Sequence, residues 1–241
     1  MDLFTGNRKI EWNALFQFSQ LSKDCQSHLK RVYSCLAMCM MAAAAGSYVN
    51  VVLQFLQSQF LTAIATFGLL LWLRVTPQTH DNNGKRLSIL LGFAFCMGIS
   101  MGPLLSVVAD IDPAIITTAF MATTVVFVCF SLAALMSQQR TMLFLGGPLM
   151  SGLSIMFFMS LINIFFGSTR ILQMALYMGV VIFSGFILFD TQLIVEKHSH
   201  GDDDFIWHSV DLFLDFINLF RHILVILAQN NENKNRRNRR N

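Results

Sequence analysis

The sequence predicts an all-α polytopic membrane protein: six transmembrane helices and a seventh, charged helix that is either central or re-entrant. Three observations carry this. Of 241 residues, 54% are hydrophobic and only 13% are charged, where a soluble domain is about 25% charged. The apolar residues, 23 Phe among them, gather in runs long enough to cross a hydrocarbon core about 30 Å thick, which takes about 20 helical residues. The polar stretches between the runs are short and hold turn residues, so there is no room for a separate soluble domain.

Residues 1–31 are mixed polar and charged, without the early apolar stretch of a secretory signal. They read as a cytosolic N-terminal segment, and the first apolar helix acts as its own insertion signal. Residues 32–73 contain no charge. They would make a helix about 63 Å long, too long for one crossing, and the polar knot at 54–59 splits them into two spans. A hydrophilic loop follows at 74–86, with Pro77, Asn82, Asn83 and Gly84 as turn signals. The third span is 87–109. Asp110-Ile111-Asp112-Pro113 is a tight turn whose proline suits the first position of the next helix. The fourth span is 114–136, the fifth 141–166 and the sixth 171–195. A polar loop at 196–204 leads to the charged helix at 205–228. Residues 32–229 form one transmembrane domain, and residues 230–241 form a basic tail.

Small residues recur within the spans, from Ala42 to Gly46, at Gly98 and Gly102, and at Gly146 and Gly147. They let helices approach closely in a membrane. Gly102-Pro103 and Gly147-Pro148 sit in similar pentapeptides, and each proline is expected to kink its helix. Cys25, Cys35, Cys39, Cys96 and Cys129 are odd in number and mostly in apolar runs. They read as buried small hydrophobes rather than a disulfide framework.

Charge predicts orientation. Arg8, Lys9, Lys23, Lys30 and Arg31 precede the first span, and Arg74, Lys85 and Arg86 fill the second loop. The positive-inside rule places this side in the cytosol. The tail, with Lys234, Arg236, Arg237, Arg239 and Arg240, seeks the cytosol too. Six spans satisfy both ends and seven do not. The charged helix therefore either re-enters or carries its basic tail across.

That helix concentrates the chemistry. His208, Asp211, Asp215, Asn218 and His222 are spaced 3, 4, 3 and 4, which puts them on one stripe of a helix, with Arg221 beside them. Ionisable groups inside a membrane are costly and normally face a bundle interior or a water path. Each has a plainer reading as well. Asp211 can serve as a structural partner of Arg221 or His208. His208 and His222 are better satisfied by carboxylates or water than by a metal. His198 and His200 read as solvated loop residues. Asp202, Asp203 and Asp204 suit a helix start better than a calcium loop.

Several stretches resemble the Bax inhibitor-1 family of transmembrane proteins. They run from Lys30-Arg31-Val32-Tyr33 through 87–95, the Gly102-Pro103 pair and 189–197, which opens Phe189-Asp190-Thr191-Gln192, to 211–221, which opens Asp211-Leu212-Phe213-Leu214-Asp215-Phe216. The resemblance spans the chain; only the Asn/Arg-rich tail departs from the Lys/Glu-rich tails common there. It implies seven helices, the last central and wrapped by two three-helix layers. It implies residence in the endoplasmic reticulum membrane, suppression of cell death and a pH-sensitive calcium leak. It also implies that Asp190 and Asp215 form a paired proton sensor; Asp211, one turn from Asp215, is read with them from its place on the stripe.

The residues lead to the same pair. Asp190 lies about 7.5 Å inside the sixth apolar run, counted from Val195. The short loop makes the charged helix its antiparallel neighbour, so Asp215 can be level with it. Two carboxylates in low dielectric cannot both ionise easily, and the pair titrates as a unit. Calcium prefers oxygen ligands, so it can bind there transiently. The plainer alternative for Asp190 is a snorkelling residue at the end of a span.

The sequence carries no Gly-rich phosphate loop, nucleophile elbow or His-Glu-x-x-His, and no enzyme chemistry is expected. An aspartyl protease would need a Gly-x-Gly-Asp that the last helix lacks. No cofactor and no nucleic acid are expected, with calcium only as a permeant ion. The expected partners are the lipid bilayer, other membrane proteins of cell-death and calcium pathways, and anionic lipid or acidic proteins at the basic tail. A non-conducting interaction protein is the competing reading.

Overall fold

The computed structural model describes residues 22–53, 59–79, 82–137 and 140–238. Among them there is no strand, and seven α-helices carry the fold: α1 Lys23–Leu53, α2 Gln59–Val75, α3 Asn83–Ile111, α4 Ala114–Met136, α5 Gly146–Phe166, α6 Thr169–Ser199 and α7 Phe205–Asn238. A 3-10 stretch at Arg140–Leu145 precedes α5. Residues 1–21 of the N-terminal segment, the polar knot from Gln54 to Ser58, and Arg239 and Arg240 lie outside the described residues.

Helices α1, α3, α4, α5 and α6 are long and apolar enough to cross a membrane, while α2 is a shorter apolar helix. Their outer faces are greasy. Phe60, Phe67 and Trp72 of α2 and Phe157, Ile164 and Phe165 of α5 are all more than half exposed. In water such a surface would drive aggregation, and in a bilayer it is the lipid contact.

The last helix is the axis. α7 packs against α1 and α3 on one side and against α4 and α6 on the other. α2 is attached through α3, and α5 through α6. Two groups of three helices thus enclose α7. Ile206, Leu212, Phe213, Leu219 and Leu224 are fully buried there, so its hydrocarbon stabilises the bundle on every face.

Close approach of α1 and α3 rests on missing side chains. A Cβ on Gly98 would lie 2.0 Å from the carbonyl oxygen of Ala43, and one on Gly46 would lie 2.2 Å from that of Phe95. Only glycine permits that backbone contact. Buried Asn50 adds a cross-link by donating to the Ile99 carbonyl at 3.1 Å.

Several expectations change in detail. The third, sixth and last helices each run a turn or more beyond their apolar cores, because flanking polar residues continue them into the interface. Pro103 does lie inside α3. Pro148 falls in the first turn of α5, where the N–H it lacks would have no helical partner, so it does not interrupt the helix. α5 ends on Gly167, whose φ of 57° is a left-handed cap.

The two ends of α7 settle its path. Its start meets the start of α3, where Asp204 pairs with Arg86. Near its other end Asn231 reaches Asp112 at 3.4 Å, and Asp112 caps the far end of α3. α7 is one unbroken helix, so of the two forms expected it takes the central one and does not re-enter. The basic residues Lys234 and Arg236 continue this helix at the end of the bundle opposite the start of α1.

Candidate functional site

The loop between α6 and α7 makes them antiparallel neighbours, and this register places two acids level. Asp190 lies about 14 Å along α6 from its end at Ser199, and Asp215 about 15 Å along α7 from Phe205. Asp190 is thus deeper than its distance from Val195 suggested, because α6 continues to Ser199. Its side chain turns inward. The carboxyl groups of Asp190 and Asp215 face each other closely enough to act on one another. Two carboxyl groups set against each other away from water favour sharing one proton, since both cannot easily ionise. Asp215 is 6% exposed, and its Oδ2 is buried without a hydrogen-bond partner.

Asp211 is one turn away on α7, half-buried and within electrostatic reach of Asp190. Lys197, near the end of α6, acts on both. Among the described residues, no ion pair joins Asp211 to Arg221 or to His208. The site is therefore a cluster of three acids between α6 and α7, in the third of α6 that leads into the connection to α7. Beside it, Gln192 donates to the Ala134 carbonyl at 3.2 Å, which ties α6 to α4 next to the acid it carries.

The rest of the polar stripe does not act with the acids. Asn218 donates to the Leu214 carbonyl of its own helix at 2.9 Å, and His222 Nδ1 lies 2.7 Å from the Asn218 carbonyl. The His222 ring packs on Phe183 with centroids 5.3 Å apart. It occupies space left by Gly179, where a Cβ would come within 2.3 Å of the ring. Arg221 is exposed. Because α7 is central, Ile217 is as enclosed as the stripe, and helical spacing alone did not distinguish a functional face from a buried one.

His208 belongs elsewhere, to the end of the bundle. It is fully buried, and its Nδ1 lies 3.0 Å from Nε2 of His28. The loop residues beside it differ from the solvated reading. His198 stacks on His28, with centroids 4.5 Å apart, and its Nδ1 is 2.7 Å from Asp203. His200 is exposed as expected. Asp204 is the helix start that its position suggested, since its Oδ1 accepts the Trp207 N–H at 3.0 Å. It also accepts from Arg86. His28 and Arg86 were not singled out as site residues, since their partners lie 180 and 118 residues away.

A seven-helix bundle with a buried acid cluster on its central helix defines a polytopic membrane protein with an ionisable core. Residues 25–232 match the family model described as Inhibitor of apoptosis-promoting Bax1, and the chain belongs to that family. It is 50% identical to Bax inhibitor 1 of Bos taurus over 237 residues, covering 98% of this chain and all of the relative. It is 53% identical to a probable Bax inhibitor 1 of Paralichthys olivaceus over 228 residues, 95% of this chain and 96% of that one. Identity to Bax inhibitor 1 of Arabidopsis thaliana is 41% over 230 residues, 95% of this chain and 92% of the relative.

Proposed function

We propose that this anti-apoptotic membrane protein resides in the endoplasmic reticulum and acts there as a pH-sensitive calcium leak, gated by Asp190 and Asp215 with Asp211 beside them. The observation that carries the reading is the pairing of these two carboxyl groups, brought level and facing each other between α6 and α7. A shared proton holds the helices together. When it leaves, two negative charges in low dielectric repel or take up a cation. Calcium, a hard ion that seeks oxygen ligands, is the cation that three acids suit. No covalent chemistry and no resident cofactor enter this mechanism. The N-terminus is cytosolic in this reading.

A second reading has its own support. Lys234 and Arg236 stand exposed on the last turns of α7, a basic surface able to hold anionic lipid or the acidic face of another membrane protein of the cell-death and calcium pathways. In that case the effect on cell death comes from binding and needs no ion flux. Purified chain in liposomes decides between the two. A leak reading expects calcium release that changes across a pH series for wild type and not for Asp215→Asn. Absence of any flux from wild-type liposomes leaves the binding reading.

A further inference from the structure

At the end of the bundle where α1 starts, α6 stops and α7 begins, three donor side chains converge. His28 comes from α1, His198 from α6 and Asp203 from the connecting loop, and one ligand atom from each lies within 4.8 Å of the others. We propose that His28, His198 and Asp203 bind a divalent transition ion of the zinc class, at a site separate from the acid cluster.

The donor set has the chemistry for it. Two imidazole nitrogens and one carboxylate suit zinc, with a fourth position left for water. Calcium and magnesium favour all-oxygen sets instead. The rings are already oriented. Nε2 of His28 is engaged by Nδ1 of His208 at 3.0 Å, which leaves Nδ1 of His28 to bind the ion. His208, fully buried, turns its own Nε2 toward Asp202 Oδ2 at 3.8 Å, and this Nε2 has no hydrogen-bond partner. The contact of His208 with His28 is the outer support that fixes the tautomer of a metal-binding histidine, with the Asp202 carboxylate facing His208 from the loop. His198 Nδ1 already faces Asp203 Oδ1 at 2.7 Å.

Access and adjustment are also present. The Asp203 side chain is 68% exposed and that of Asp202 is 47% exposed, so the site opens to water. Closing donors onto zinc at about 2.0–2.2 Å asks for shifts of about 1–2 Å, which a loop carboxylate can supply. A bound ion would tie the start of α1 to the α6–α7 connection, two segments far apart in the chain.

The test uses the full chain in detergent, stripped with a chelator and titrated with zinc by calorimetry, and with cobalt for its tetrahedral absorption bands. Wild type is expected to bind one zinc per chain. His198→Ala and Asp203→Asn should each weaken binding more than about tenfold, and His208→Gln by about ten- to a hundredfold as an outer support. His200→Ala and Asp215→Asn should bind as wild type does. Zinc should raise the melting temperature of wild type and not of His198→Ala, while the helical circular dichroism of both stays the same. Wild type that takes up no zinc overturns the proposal. So does undiminished affinity in His198→Ala and Asp203→Asn, or loss of binding in Asp215→Asn.

Discussion

Arg86 and Asp204 meet as a two-pronged ion pair, Nη1 to Oδ1 at 3.0 Å and Nη2 to Oδ2 at 2.5 Å. With side chains only 4% and 14% exposed, the pair is shielded from water and fixes the start of α3 to the start of the central helix. Removing one partner leaves the other charge buried without compensation. Arg86→Met is expected to cost about 3–5 kcal/mol in denaturant unfolding in detergent. The same change made in an Asp204→Asn background should cost distinctly less, because no stranded carboxylate remains. Equal costs in both backgrounds would mean the pair adds nothing.

The contact of α1 with α3 makes a second prediction. A methyl group on Gly98 would meet the backbone of Ala43 rather than a side chain able to turn away. Gly98→Ala is therefore expected to destabilise by about 1–3 kcal/mol. Gly68 on α2 has open space where its Cβ would be, and Gly68→Ala should be neutral or slightly stabilising through helix propensity. Thermal unfolding of the two variants in the same detergent tests this. A Gly98→Ala protein as stable as Gly68→Ala would contradict the packing described.

These two sites mark what the sequence could and could not disclose. Apolar runs of about 20 residues announce membrane helices, since hydrocarbon thickness sets their length, and so the seven helices were legible. Asp190 and Asp215 stood out because charge is rare in such runs, and the short α6–α7 connection left them little choice but to be level. Arg86 and His28 did not stand out. They lie at the polar ends of spans, where a basic residue is ordinary, and their partners are distant in the chain. The re-entrant alternative rested on charge counting, which had no way to weigh the packing that α7 gains on all sides by crossing. The stripe of five polar residues was read as one unit because helical spacing reports direction and not depth. In the structure its members are spread along α7 into three separate environments.

Burial of α7 on every side yields a third expectation. A lipid-soluble thiol reagent should label Phe157→Cys and Phe165→Cys on α5, which are exposed, above the background of the exposed native Cys129. Leu212→Cys and Asp215→Cys, enclosed by the two helix groups, should not label from the membrane. Strong lipid-phase labelling of Leu212→Cys would mean that α7 is not central.

The last prediction concerns the acid pair and pH. Asp215→Asn keeps the size of the side chain and removes both its charge and its titration, and Asp190→Asn does the same from the other helix. A proton shared by two acids is lost as a titrating unit when either is replaced. Both variants are expected to fold and to show a calcium leak that no longer follows pH as wild type does. Lys234→Gln and Arg236→Gln are the control. Their charges are exposed at the end of α7 and screened by salt over about 8–10 Å, so their effect cannot reach the middle of the bundle, and the wild-type pH profile should persist. Flux from liposomes across a pH series, with wild type and the four variants side by side, is the measurement. If both Asn variants keep the wild-type profile, the acid pair is not the sensor. If the tail variants instead abolish a cell-death effect while flux is unchanged, the basic end of α7 is where this protein acts.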